Sequence, residues 1–185
     1  MKKSVRLLLA AAVTLAAVGT TTAAAASTSA SQSPAVSERG LPFDTPWHTE
    51  HRTKAFLNAF DERDFGALGR LVDRNARLVL RLPLDGSQDP GPGYVGRDQV
   101  VGYFHTVTEN MPVTTMVDLR ISASADGRSS FVQFDGDFRT ADGRPYRNVY
   151  IWRMDWRRGK VTSFEEYGNP ITYCRTFPGT PGCSA

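Results

Sequence analysis

The sequence predicts an α+β fold, with helices early in the chain and an antiparallel sheet late. Apolar residues at helical spacing fill the stretch from about Thr45 to Val72, and a second helical run follows Gly96. From about Thr114 onward, four strand-length runs are separated by turn signals. Helices first and hairpin-linked strands last place the helices on one face of a sheet.

The first residues stand apart from that fold. Lys2, Lys3 and Arg6 form a positive region, Leu7 to Gly19 an apolar one, and Ala23 to Ala26 offer small-residue cleavage sites. The apolar run, about 13 residues, is shorter than the roughly 18 to 20 that span a bilayer. Residues 1–26 therefore read as a signal peptide, and export to an extracytoplasmic or secreted location follows. Residues 27–43, rich in Ser, Ala, Thr and Gln, read as a flexible leader. Residues 44–185 are the size of one domain.

Within that domain Thr45-Pro46 suits an N-cap followed by proline in the first helical turn. Ala55, Phe56, Ala59 and Phe60 carry the helix to about Arg63. Asp64 can cap a second, short helix that buries Phe65, Leu68, Leu71 and Val72. Leu78, Leu80 and Leu82 alternate with Arg77, Val79 and Arg81 as a strand. Asp85 to Gly96 reads as a loop, and Arg97 to about Glu109 as a third helix with Val100, Val101, Phe104 and Val107 on one face. Strands are expected over about 114–122, 130–140, 146–156 and 160–173. Asp126-Gly127, Asp142-Gly143 and Arg158-Gly159 supply the turns.

Charge and cysteine narrow the function. The chain carries 22 basic and 19 acidic residues, and loss of Lys2, Lys3 and Arg6 with the signal balances them. No basic footprint for nucleic acid remains. Cys174 and Cys183 lie in a Pro/Gly-rich tail and are expected to pair in an oxidising compartment. Gly91, Gly93 and Gly96 formally match a dinucleotide fingerprint, but they follow a Pro-rich loop rather than a strand. His48 and His51 have the spacing of a metal pair without a clear third ligand, so no metal is expected.

The chemistry concentrates in the last hairpin. With Arg157-Arg158-Gly159 as a three-residue loop, Glu166 falls opposite Tyr150, and Tyr146, Asn148, Trp152 and Met154 share its face. A two-residue loop would put Glu166 opposite Ile151 and break the constellation. On the first reading one buried acid sits among hydrogen-bonding aromatics, and burial raises its pKa toward neutrality. On the preceding strand Asp135 and Asp137 alternate with apolar residues; paired carboxylates can share acid/base work, and one wet strand face gives the same pattern.

At this hairpin the chain resembles the SnoaL-like branch of the nuclear transport factor 2-like superfamily, which includes ketosteroid isomerases and polyketide cyclases. Its motifs are most similar to those of the phenazine-biosynthesis A/B family. Tyr146-Arg147-Asn148, Gly159-Lys160 and Glu166-Tyr167-Gly168-Asn169 match that family's hairpin, and Val132, Asp135 and Gly136 match its preceding strand. Gly96-Arg97-Asp98 resembles the start of its middle helix. The family's middle-helix His is unmatched; Tyr103 or Phe104 falls at that place.

The resemblance implies a cystatin-like cone: a curved antiparallel sheet wrapping about three helices around one deep pocket, commonly in a homodimer. It also implies acid/base catalysis without a cofactor on a small hydrophobic substrate, of isomerase, cyclase or condensation type. Glu166 would move protons, Tyr146 would orient or polarise a carbonyl, and Asp135 would assist. Asn148, Tyr150, Trp152, Phe104 and Tyr103 would line the pocket. The alternative from another class is a noncatalytic, secreted module that uses the same pocket to bind a small molecule or a partner.

Overall fold

A computed structural model describes residues 44–91 and 93–183. The expected signal peptide and leader lie outside the described residues. Helix α1 (Pro46–Asp61) starts where Thr45 accepts the His48 amide and Pro46 fills the first turn. It buries Thr49, Thr53, Phe56, Leu57 and Phe60. Asp64 accepts the Ala67 amide at 2.7 Å to open α2 (Phe65–Leu71). Strand β1 (Val72–Leu80) follows without a loop, and a short β2 (Tyr94–Val95) lies inside the expected loop. Then come α3 (Arg97–Asn110), β3 (Val113–Ala123), β4 (Ser129–Arg139), β5 (Pro145–Arg157), β6 (Lys160–Gly168) and α4 (Pro170–Thr176).

The six strands form one curved, open sheet in the order β2-β1-β6-β5-β4-β3. Along β4 and β5 every second residue is buried, including Val132, Phe134 and Phe138 on β4 and Tyr146, Tyr150, Trp152, Met154 and Trp156 on β5. This face meets Phe56, Phe60 and Phe104 from α1 and α3 in a single core. The rings meet edge to face, with centroids 5.5 Å apart for Phe60–Phe104 and 5.8 Å for Phe104–Trp152. Polar ties fix the closed end: Thr53 Oγ1 lies 2.8 Å from Ser130 Oγ, which accepts the Trp156 indole N–H at 2.9 Å.

Three expectations need correction. The sheet is mixed, because β1 runs parallel to β6 while its other neighbours are antiparallel. Turns dictate antiparallel pairing only for strands joined directly as hairpins, β3 through β6; β1 reaches the edge of β6 through helices, so no turn fixes its direction. The last strand ends at Gly168, five residues before the expected Tyr173. Asn169 there accepts the amides of Ile171 and Thr172, and Pro170 occupies the first turn of α4.

The β5–β6 turn also differs from the expected three-residue loop. It has two residues, Arg158 and Gly159, both at positive φ (50° and 76°), and Arg157 pairs with Lys160. Both left-handed positions give a primed turn, whose twist matches that of the strands. The register then shifts: Trp156 faces Val161, but Asp155 faces Ser163. Thr162 is the extra residue of a bulge, and its hydroxyl donates to the Asp155 carbonyl at 3.1 Å. Beyond the bulge Glu166 faces Trp152, neither Tyr150 nor Ile151. The two-residue turn flips the parity of the hairpin, and the bulge flips it back.

Candidate active site

The open end of the sheet and α3 enclose a cavity of about 480 Å³. Phe104 and Tyr103 reach it from α3, Tyr146, Asn148, Tyr150 and Trp152 from β5, and Glu166 from β6. The structure thus brings seven of the eight sequence-predicted site residues to one cavity. Asp135 is the exception. It lies exposed on the opposite face of β4, beside Val117, Asp137 and Arg147 in a shallow groove. Strand alternation separates it from the inward-facing Phe134 and Gly136, so Asp135 is dropped from the expected catalytic set.

Among the described residues Glu166 is the one carboxylate lining the cavity. The Tyr103 hydroxyl donates to it, 3.0 Å from each carboxylate oxygen. Burial pushes the Glu166 carboxyl up from its ordinary 4.5 to about 7, while Tyr103 and Trp152 pull the other way. The buried Trp152 Nε1–H has no partner at hydrogen-bond geometry, yet it sits near enough to favour the ionised carboxylate. Tyr103 is itself held well above 10, first by burial and then by the Glu166 charge, so it remains a proton donor to Glu166.

A second polar group gathers around Tyr146. Its hydroxyl oxygen accepts from Asn148 Nδ2 at 2.8 Å and from the Tyr150 hydroxyl at 3.0 Å. With both acceptor positions filled, its own proton is left to donate into the cavity. Burial raises the Tyr146 pKa, and the two donated bonds oppose that rise. Asn148 was expected to touch a ligand, but its amide is already occupied. Nδ2 also donates to the Asn169 carbonyl at 3.1 Å, and Oδ1 accepts from Val149 N and Asn169 N at 2.9 and 3.1 Å. Asn148 therefore orients Tyr146 and pins β5 to the start of α4.

Tyr150 needs two glycines to stand where it does. A Cβ on Gly168 would lie 2.9 Å from its Cε1, and one on Gly136 3.0 Å from its Cε2. The ring fills the place that side chains would take on the strands flanking β5.

Sequence reasoning missed part of the wall. Tyr94 on β2, Leu82 and Leu84 in the β1–β2 loop, and Tyr173 and Phe177 around α4 also line the cavity. The spacing of Tyr173 and Phe177, four residues apart after an Asn-Pro helix start, was the available signal for α4. The tail disulfide joins Cys174 to Cys183 as expected. His48 and His51 are engaged locally: His48 Nδ1 lies 2.7 Å from Thr45 Oγ1, and His51 stacks on Trp47.

A family model described as a SnoaL-like domain matches residues 53–164. The chain belongs to the SnoaL-like domain family. The SnoaL-like chain is 23% identical over 129 residues to the protein YesE of Bacillus subtilis (strain 168), covering 69% of this chain and 85% of that one. Among solved structures it is similar to a candidate isomerase from Bacillus subtilis, with a TM-score of 0.60 at 20% identity, covering 72% of this chain and 96% of that one. A candidate polyketide cyclase from Pseudomonas putida superposes with a TM-score of 0.57 at 16% identity, covering 69% and 96%. A phenazine biosynthesis-related protein from Pseudomonas aeruginosa gives 0.54 at 14%, covering 70% and 86%. At these identities the solved structures establish a shared fold, the nuclear transport factor 2-like cone.

Proposed function

We propose that this SnoaL-like domain catalyses proton transfer on a small, hydrophobic carbonyl compound without a cofactor. Glu166 is the base and Tyr146 the donor to the carbonyl oxygen. The observation that carries the reading is Glu166 itself: a carboxyl in a cavity lined mainly by aromatic and aliphatic side chains, with its pKa raised to about 7 by burial. A base poised near working pH holds enough of its ionised form to accept a proton and is basic enough to pull one. Tyr103 fixes the carboxylate, and Tyr150 and Asn148 load Tyr146 so that its proton is the better donor.

The register sets a condition on the substrate. Trp152, opposite Glu166, lies six residues along β5 from Tyr146, roughly 20 Å of flat strand at about 3.3 Å per residue. The Glu166 charge still acts on Tyr146, so the two groups lie closer across the cavity than along the strand. A compound serving both groups has its acidic C–H several bonds from its carbonyl oxygen, as in a conjugated enone. Isomerisation or cyclisation through an enolate is the class of reaction this supports.

The test is deuterium incorporation from D2O into a panel of small cyclic ketones and enones, followed by NMR. The expected result is exchange that rises with pH through about 7 and is lost in Glu166→Gln. A panel whose members bind without exchange at any pH would instead favour the noncatalytic binding module. The tail disulfide, together with the basic and apolar N-terminal segments, supports an exported protein. Among the described residues no helix is long and apolar enough to cross a membrane. Exposed Val117, Val149 and Ile151 on the outer sheet face support a homodimer of the kind the resemblance implies.

A further inference from the structure

We infer that α4 and its disulfide-closed tail form the wall that decides which ligands this cavity holds, with Tyr173 and Phe177 as its specificity-determining residues. The inference rests on the cavity of the proposed function and not on its chemistry. The helix has seven residues, none of them buried, and a helix this short is marginal on its own. Its N-cap Asn169 and an Arg144 guanidinium bond to the Thr176 carbonyl at 2.7 Å are its polar anchors.

What α4 presents inward is aromatic and adjoins the reactive group. The Tyr173 and Phe177 rings lie 4.9 Å apart, and both meet the Tyr146 ring edge to face, at 6.3 and 5.6 Å. Both line the cavity. Displacing them would widen the cavity at the Tyr146 end and admit water to the hydroxyl that Asn148 and Tyr150 prepare.

The Cys174–Cys183 bond ties this helix to the tail that follows it. A Cβ on Gly182 would meet the Leu84 side chain at 3.4 Å and the Asp85 amide at 3.9 Å. Leu84 belongs to the β1–β2 loop and also lines the cavity. The disulfide therefore ties the α4 wall to the tail, and the tail at Gly182 lies against Leu84 of the β1–β2 loop through non-bonded contact. The family match ends at residue 164, so this wall lies beyond the matched span.

The probe for the test is N-phenyl-1-naphthylamine, an uncharged aromatic dye that fluoresces on leaving water, added to the full chain with its disulfide intact. Reduction by a phosphine converts the bond to two thiols with two electrons and two protons. It is expected to weaken dye affinity about ten-fold, mainly through faster dissociation, and to raise hydrogen exchange in residues 169–183. Tyr173→Ala and Phe177→Ala, with the disulfide intact, are expected to change which members of a size-graded dye series bind best. These two variants keep the test valid if the reduced protein unfolds. Unchanged dissociation after reduction with raised exchange would reduce the bond to a structural staple and overturn the inference. An unchanged size preference in both variants, or failure of the oxidised protein to take up the dye, would overturn it too. Disulfide-dependent dye binding without deuterium exchange would keep this inference and sink the catalytic reading.

Discussion

Replacing Glu166 by Gln isolates the energetic consequence of burying an acid. The carboxyl titrates at about 7 in the folded protein against an ordinary 4.5, so the folded state holds its proton more tightly than the unfolded state. Stability is therefore greatest below the ordinary value, falls as pH rises between the two values, and levels off above the folded one. At about 1.36 kcal/mol for each tenfold change in proton affinity, that rise in pKa corresponds to about 3 kcal/mol. That is a large fraction of the 5–15 kcal/mol that typically holds a domain together.

Gln has the same shape, can still accept from Tyr103, and does not titrate. Its extra N–H groups add an offset that does not depend on pH. The assay is urea denaturation of both proteins from pH 4 to pH 8.5, with the disulfide intact. The stability of Glu166→Gln minus that of the wild type should climb by about 3 kcal/mol across this range, with most of the rise between the ordinary and the folded pKa. Other titrating groups cancel in the difference. A flat difference would mean that Glu166 titrates normally and that the cavity is wet. A falling difference would mean that the ionised carboxylate is stabilised, and the assignment of Glu166 as a base poised near neutrality would be refuted.

Other changes probe the remaining parts of the site. Tyr146→Phe removes the donor to the carbonyl and should slow deuterium exchange about 10²- to 10³-fold, with dye binding as the control for cavity integrity. Gly168→Ala places a methyl against the Tyr150 ring and should cost about 1–3 kcal/mol in urea denaturation. An unchanged midpoint would show that the ring moves freely. Asp135→Asn, on the exposed outer face, should alter stability by no more than about 0.5 kcal/mol and leave the exchange rate unchanged.

The faces of the strands were legible because alternation is local. Val132, Phe134 and Phe138, and Tyr146, Tyr150, Trp152, Met154 and Trp156, could be assigned inward from period alone, and all lie in the core. The helix starts at Thr45 and Asp64 were legible for the same reason, since a cap bonds within three residues of itself. The parallel β1–β6 pair was not legible, because nothing in a strand's own sequence names a neighbour reached through intervening elements. Asp135 misled for a related reason. Its motif matched, but a motif match does not report a face, and alternation with Phe134 already placed it outside.

Glu166 is the instructive case, because its face was read correctly through a hairpin that was read wrongly. A three-residue turn and a two-residue turn followed by a one-residue bulge bring the same side chains inward; they differ in which residue sits opposite. Turn chemistry at Arg158-Gly159 can be judged from residue type, but the Thr162 bulge answers to the packing of Val161 and Phe164 in the core, which depends on helices more than fifty residues away. The displaced partner has chemical weight. Opposite Tyr150, Glu166 would share the Tyr146 network directly; opposite Trp152, it stands apart with its own donor in Tyr103. The inserted threonine is what keeps Glu166 on the cavity face: with the two-residue turn alone it would pair with Ile151 and point outward.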